Sequence, residues 1–116
     1  MQLGAAGAAY FAERDLLLIP GTPVPAFPID ESGAREARKL DIDGRAVAYN
    51  AQGFWQGIAT VSYLPATIAP IGRTPEGLPI SVQVVGPYLG DLSTIGFARL
   101  IEKDYASYTV PEAFAA

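Results

Sequence analysis

Between Leu64 and Pro87 the chain reads LPATIAPIGRTPEGLPISVQVVGP, and no other stretch limits the possible fold so tightly. Two runs rich in Ile and Val, Pro65 to Ile71 and Leu78 to Gly86, flank Gly72-Arg73-Thr74-Pro75-Glu76-Gly77. Pro75 has the φ wanted at the second position of a type I or II turn, and Gly77 tolerates whatever backbone the exit requires. The pattern predicts a β-hairpin with a loop longer than two residues. In the second run Ile80, Val82 and Val84 share one side of the pleat and Ser81, Gln83 and Val85 the other, so one face is strongly apolar and the other mixed. The Ile80 side is expected to lie under the chain's own helices. Whether anything covers the Gln83 side is a question for the structure.

Taken in order, the chain opens on an Ala-rich segment, Met1 to Arg14, whose Leu3, Tyr10 and Phe11 are spaced to share a helical face. It lacks the basic start and long apolar centre of a signal peptide. Leu16 to Ile19 is a continuous apolar run closed by Pro20-Gly21, the composition of an inner strand covered on both faces in a parallel or mixed sheet rather than an edge strand. Prolines at 20, 23, 25 and 28 then exclude regular hydrogen-bonded structure and predict an extended loop. Ile29 to Lys39 is polar and charged, a solvated loop or short surface helix. Asp43-Gly44 between short strand-like runs predicts a second, tight hairpin over Lys39 to Tyr49. Asn50 is a candidate cap for a helix to Ser62 that carries Phe54, Trp55, Ile58 and Ala59. Asp91 is a candidate cap for a last helix, Leu92 to Asp104, packing by its Phe97, Leu100 and Ile101 side and leaving Ile95 among polar residues. Residues from about 105 to 116 read as an irregular tail.

Composition narrows the function classes. One domain fits the 116 residues. Half of them are hydrophobic and the mean hydropathy is +0.22, an excess that leaves apolar surface for a neighbouring domain or chain. Eight basic against twelve acidic residues give a net charge of −4, so nucleic acid is not an expected partner. With neither Cys nor His there is no disulfide and no common zinc or copper ligand set, and no metal or cofactor is expected; the composition fits the cytoplasm. Asp41 and Asp43, beside Gly44 and Arg45, fit a hairpin turn better than a cation loop. No run of eighteen apolar residues occurs, so no membrane span is expected.

Leu64-Pro65-Ala66-Thr67, then Pro70-Ile71-Gly72-Arg73-Thr74, then Gly77-Leu78-Pro79 and the Val82 to Pro87 run resemble the C-terminal part of the amidase signature family, the Ser-Ser-Lys amide hydrolases. The likeness continues in order elsewhere. Pro20-Gly21-Thr22-Pro23 followed by Ala26-Phe27-Pro28 matches the family's Pro-x-Thr-Pro and Ala-Phe-Pro, Asp43 to Tyr49 its Asp-Gly-Arg hairpin, Trp55 a Trp-containing segment, and Asp91 the start of a final helix. The resemblance implies an α/β fold with an α+β-like layout: a small mixed β-sheet holding the hairpin Pro65–Gly86, with flanking helices. It covers residues 1–116 as a single domain or part of one.

The resemblance also implies that the loop leaving the Leu16 to Ile19 strand borders a substrate cavity. Gly21, Thr22, Pro23 and Phe27 are thereby candidate pocket-lining residues, with a rigid connector as the competing account. Trp55 is a further candidate, against an ordinary core position. The family's catalytic Lys and its Gly/Ser-rich signature have no match here, since there is no Gly-Gly-Ser-Ser run and the only lysines are Lys39 and Lys103 in charged surroundings. No catalytic residue is therefore assigned. Two readings follow. One is an amidase C-terminal region that supplies sheet and pocket wall, partnered by an N-terminal amidase portion, in an enzyme that works on a small amide through a serine acyl-enzyme. The other is a non-catalytic interaction module whose exposed sheet surface makes it an oligomer, pairing with a second copy of itself. A small enzyme using carboxylates is disfavoured, because Asp15, Asp41, Asp43 and Glu76 have no paired spacing.

Overall fold

A computed structural model describes residues 2–115, with side chains from residue 5 onward. Helix α1 spans Gln2–Phe11, β1 Leu17–Pro20, β2 Lys39–Ile42, β3 Arg45–Ala48, α2 Phe54–Ser62, β4 Ala66–Arg73, β5 Pro79–Val85 and α3 Asp91–Asp104. The helical face expected of Leu3 lies outside the described side chains. Of its companions, Phe11 is half-buried against the core and Tyr10 packs edge-to-face on it at 5.1 Å.

The Leu64 to Pro87 stretch forms the expected hairpin. Gly77 N–H donates to the Thr74 carbonyl at 2.9 Å and Thr74 N–H to the Leu78 carbonyl at 2.8 Å. Pro75 and Glu76 therefore occupy the turn, and Gly77, at φ 87, takes the left-handed position that closes a three-residue loop. A bulge falls between Pro70 and Gly72, where Gly72 pairs with Ile80. The smaller hairpin is equally local in origin. Asp43 and Gly44 both have positive φ, 53 and 76, and the Asp41 carboxylate accepts the Gly44 N–H at 2.8 Å, so Asp41 works as a turn clamp.

The main sheet has the order β1-β5-β4, and both ladders are antiparallel where a mixed sheet was expected. β5 is the central strand. Leu17 and Ile19 of β1 oppose Val85 and Gln83, and on that face Phe11 of α1, Trp55, Ile58 and Ala59 of α2, and Leu64 just beyond α2 join a cluster around Ile19 and Val85. The opposite face, which carries Thr67, Ala69, Val82 and Val84, lies under α3. Helices thus cover both faces of β5, the Gln83 side included. Gln83 is buried, and its side-chain amide donates to the Trp55 carbonyl at 3.4 Å.

Several local expectations need correction. The Leu16 to Ile19 run is an edge strand, and Leu18 is 49% exposed, because α3 lies over β4 and β5 and stops short of β1. Asn50 does not cap α2. Tyr49–Gly53 tightens into a 3-10 helix, and Gly53 stands at the cap position. Asp91 is the first residue of α3, with Gly90 before it, and serves the helix by placing negative charge in the first turn. On α3 the buried position is Thr94, with Phe97, Ala98 and Ile101 partly covered, while Leu100 is half-exposed. The tail is irregular apart from a 3-10 turn at Glu112–Phe114, and it returns past Pro70, Gly72, Arg73 and Pro79.

A polar contact fixes α3 on the sheet. Thr67 Oγ1 donates to Thr94 Oγ1 at 2.8 Å, and Thr94 Oγ1 donates to the Asp91 carbonyl at 2.8 Å. Gly86 lies against the same threonine, so closely that a Cβ there would stand 2.7 Å from Thr94 Cγ2. Replacing Thr94 by Val keeps the shape and strands the Thr67 hydroxyl, for an expected cost of about 1–2 kcal/mol in urea unfolding. The double variant Thr67→Val/Thr94→Val should recover most of that loss. Equal losses in the single and double variants would show that the hydroxyl pair contributes nothing specific.

Candidate functional site

The site residues expected from sequence divide among three places. Pro20 pairs with Val82 at the end of β1, so the chain leaves the sheet beside Ser81. Gly21 is buried there. A Cβ on it would stand 2.8 Å from Ser81 Oγ and 3.7 Å from Ile68 Cδ1, so the position admits no larger residue until the Ser81 hydroxyl turns away. Immediately beyond, Thr22 and Pro23 line a polar groove of about 190 Å³ with Val24, Ala26, Ile80 and Ser81. The Thr22 hydroxyl donates to the Val24 carbonyl at 2.7 Å, which fixes the proline-rich backbone where no ladder can hold it.

Phe27 belongs to a second hollow of about 260 Å³, built with Val24, Leu40 and Tyr49 and flanked by Asp30, Lys39 and Asp41. Its ring meets Tyr49 edge-to-face at 6.1 Å. Tyr49 is held in turn: its N–H donates to the Arg38 carbonyl at 3.1 Å, and the guanidinium groups of Arg35 and Arg38 stand 5.7 and 6.0 Å from its ring centre. Asp30 at the rim accepts from both the hydroxyl and the amide of Ser32, at 2.6 and 2.8 Å. These bonds, assisted by the Arg38 cation, hold its carboxyl below the usual range. The turn they form is intact above the ordinary carboxylate pKa and loosens as pH falls through the depressed one.

Trp55 joins neither hollow. It packs half-buried against Ile19, Ala59 and Val85, behind the strand from which the loop departs, and its carbonyl accepts from Gln83. Thr22, Pro23 and Phe27 thus line the two hollows, Gly21 stands against Ser81 outside both linings, and Trp55 supports β1 and β5 from behind. Sequence reasoning did not single out Ser81, Tyr49, Leu40 or Ile80 as lining residues. Only the pairing of Pro20 with Val82 brings Ser81 to Gly21, and only the folding of the tight hairpin onto the proline loop brings Tyr49 to Phe27.

Among the described residues no serine hydrogen-bonds a lysine. Ser32 is engaged by Asp30, and Ser107 Oγ donates to the Glu102 carbonyl at 2.9 Å. Lys39 lies on β2 and Lys103 in the last turn of α3, on separate elements. Among the described residues there is no cluster of three or more acidic side chains placed to hold a metal ion, and no helix is long and apolar enough to cross a membrane.

The hollows differ from the support behind them in what truncation should do. Trp55→Ala is expected to lower stability by about 2–4 kcal/mol, as a half-buried aromatic lost from a core. Phe27→Ala, at a rim position that is 39% exposed, should cost less than about 1 kcal/mol. Thermal or urea unfolding of the two variants checks this, and comparable losses would erase the distinction between wall and core.

Comparison with known proteins points to one family. The family model described as Amidase matches residues 3–95. In Clostridium acetobutylicum, the second A-type chain of glutamyl-tRNA(Gln) amidotransferase is 33% identical over 94 residues, 81% of this chain and 18% of that protein. The corresponding A-type chain of Methylorubrum extorquens is 29% identical over 108 residues, 92% of this chain and 20% of that protein. The crystal structure of the A-type chain from Thermotoga maritima superposes with a TM-score of 0.75 at 26% identity, covering 97% of this chain and 23% of that one. The chain thus spans about a fifth of the length of the relatives it matches.

Proposed function

The chain belongs to the amidase family, and from that premise we propose that it acts as the part of an amide hydrolase that builds sheet and pocket wall, with the catalytic serines and lysine carried by another portion of the fold. The observation that carries this reading is the match over residues 3–95 in a chain with no Gly/Ser-rich serine signature of its own. Acyl transfer needs an activated nucleophile and donors aimed at a developing oxyanion. This chain offers a rigid wall instead. The loop from Gly21 to Phe27 is held by its prolines, by the Thr22 hydroxyl and by the Phe27–Tyr49 contact, so it holds its shape without ladder bonds.

A wall of this kind contributes positioning. The Thr22 and Pro23 groove, with the Ser81 hydroxyl at its base, suits the polar end of a small amide, and the Phe27 hollow suits an apolar acyl or leaving group. Holding an amide against a serine supplied from elsewhere converts a bimolecular encounter into an oriented one. The amidotransferase relatives are themselves parts of multi-chain enzymes, and a protein partner of this chain fits that pattern. A cytoplasmic setting fits the absence of cysteine.

Trans-complementation tests the reading. The chain alone should hydrolyse no amide. Co-expression with the Clostridium acetobutylicum protein from which the matching segment has been removed should give a complex that hydrolyses glutamine or a simple amide. In that complex Phe27→Ala should raise KM by about 5–10-fold with a smaller change in kcat, as loss of ground-state binding does. Turnover by the isolated chain would overturn the division of labour, and absence of any complex would overturn the partnership.

A further inference from the structure

We propose that Asp43–Gly44 is the chain's site of spontaneous backbone isomerisation, through a succinimide to isoaspartate, and that the Asp41 carboxylate guards it by holding the Gly44 N–H. Of the six aspartates, at 15, 30, 41, 43, 91 and 104, only Asp43 precedes a glycine, and the single asparagine, Asn50, precedes an alanine. The chemistry needs that neighbour. The main-chain nitrogen of the following residue attacks the side-chain carboxyl carbon, a C–N bond forms, and one water leaves, made from a carboxyl oxygen and the displaced protons. Water then opens the five-membered ring at either carbonyl: one opening restores aspartate and the other routes the main chain through Cβ, so no atom is gained or lost overall. A side chain on the attacking residue would crowd this approach, and glycine has none. Asp43 and Gly44 are both exposed, and no other part of the chain lies within 4 Å of the place where a Gly44 Cβ would stand, so solvent reaches the ring as it forms.

The fold opposes that attack at two points. At φ 53 Asp43 is left-handed, where ψ is about +30 to +50°, and this sets the Gly44 nitrogen roughly opposite Cβ across the Cα–C bond. Ring closure needs the two on the same side. The turn must therefore open, and the bond from Gly44 N–H to Asp41 Oδ1, 2.8 Å, resists its opening. The same bond shields the nitrogen itself, because the attacking amide must lose its proton and a carboxylate acceptor stabilises the protonated form. Once formed, isoaspartate lengthens the two-residue link by one main-chain atom, and the Ile42–Arg45 pair no longer closes the hairpin in register. Through that register β2 and β3 bury Leu40 and bring the Tyr49 N–H to the Arg38 carbonyl. Leu40, Asp41 and Tyr49 all line the Phe27 hollow, so the lesion unmakes one of its walls.

The test ages the unaltered chain, Asp41→Val and Asp41→Asn in neutral buffer over several weeks. Mass spectrometry of proteolytic fragments counts isoaspartate at residue 43, and uptake of oxygen-18 from labelled water confirms that a ring formed and opened. Valine removes the acceptor while favouring the strand, so the hairpin is kept. Asp41→Val should accumulate isoaspartate at least ~10-fold faster than the unaltered chain, the ratio expected for losing a hydrogen bond to a charged acceptor. Asp41→Asn retains an acceptor and should fall between the two. Protection of the Tyr49 amide from hydrogen exchange reports that the hairpin is folded in each. An Asp41→Val rate no higher than that of the unaltered chain overturns the guard. A higher rate that appears only with loss of Tyr49 protection gives the guarding to the hairpin as a whole and overturns the role of Asp41. In the chain unfolded in urea, isoaspartate should arise first at residue 43, and its earlier appearance at any other aspartate overturns the site.

Discussion

Everything in the sheet depends on β5 being covered on both faces. Val84 and Val85 are adjacent, so their side chains point in opposite directions, yet each is 0% exposed. That is possible only if a layer lies on either side: α3 over Val84, and α1 with α2 over Val85. Burying each valine contributes about 1.5–3 kcal/mol, and the two together specify the order of layers. A shift of one residue in register would exchange Gln83 for Val84 under α3 and remove the Gln83 amide from the Trp55 carbonyl.

The two faces are made specific by different means. On the α2 side packing is aliphatic and aromatic, and the buried Gln83 amide finds its acceptor in the first turn of α2. On the α3 side the seam is polar at its tightest point, where Thr67 and Thr94 meet and Gly86 lets the backbone approach. A pair of threonines there costs some apolar burial. In return it sets one rotation of α3, because a hydroxyl with its partner in place tolerates little sliding, and it explains why Thr94 rather than Leu100 is buried.

Turns were the most legible part of the sequence, since their chemistry is local. Asp43-Gly44 and Pro75 with Gly77 state their own dihedrals, and the alternation of β5 states which side chains share a face. What sequence could not give was the identity of neighbours. Leu16 to Ile19 has inner-strand composition, yet its rank in the sheet is settled by what pairs with it. Asn50 and Asp91 carry capping chemistry, but a tightened turn at Tyr49–Gly53 and a one-residue offset at Gly90 moved the caps to glycines. Nothing local marks Thr94 as a buried position, because its partner Thr67 is 27 residues away in the chain. The pocket loop was legible as rigid from its prolines. Its division into a Thr22 groove and a Phe27 hollow depends on Ser81 and Tyr49, which arrive from elsewhere in the chain.

The mismatch at β1 and the rigidity of the loop that leaves it have a common logic. A loop with four prolines in nine residues can present Thr22 and Phe27 reproducibly only if its first anchor is fixed, and that anchor is the short pairing of Leu17–Pro20 with β5. With one neighbour, the anchor rests on a four-residue ladder and on Trp55 behind it.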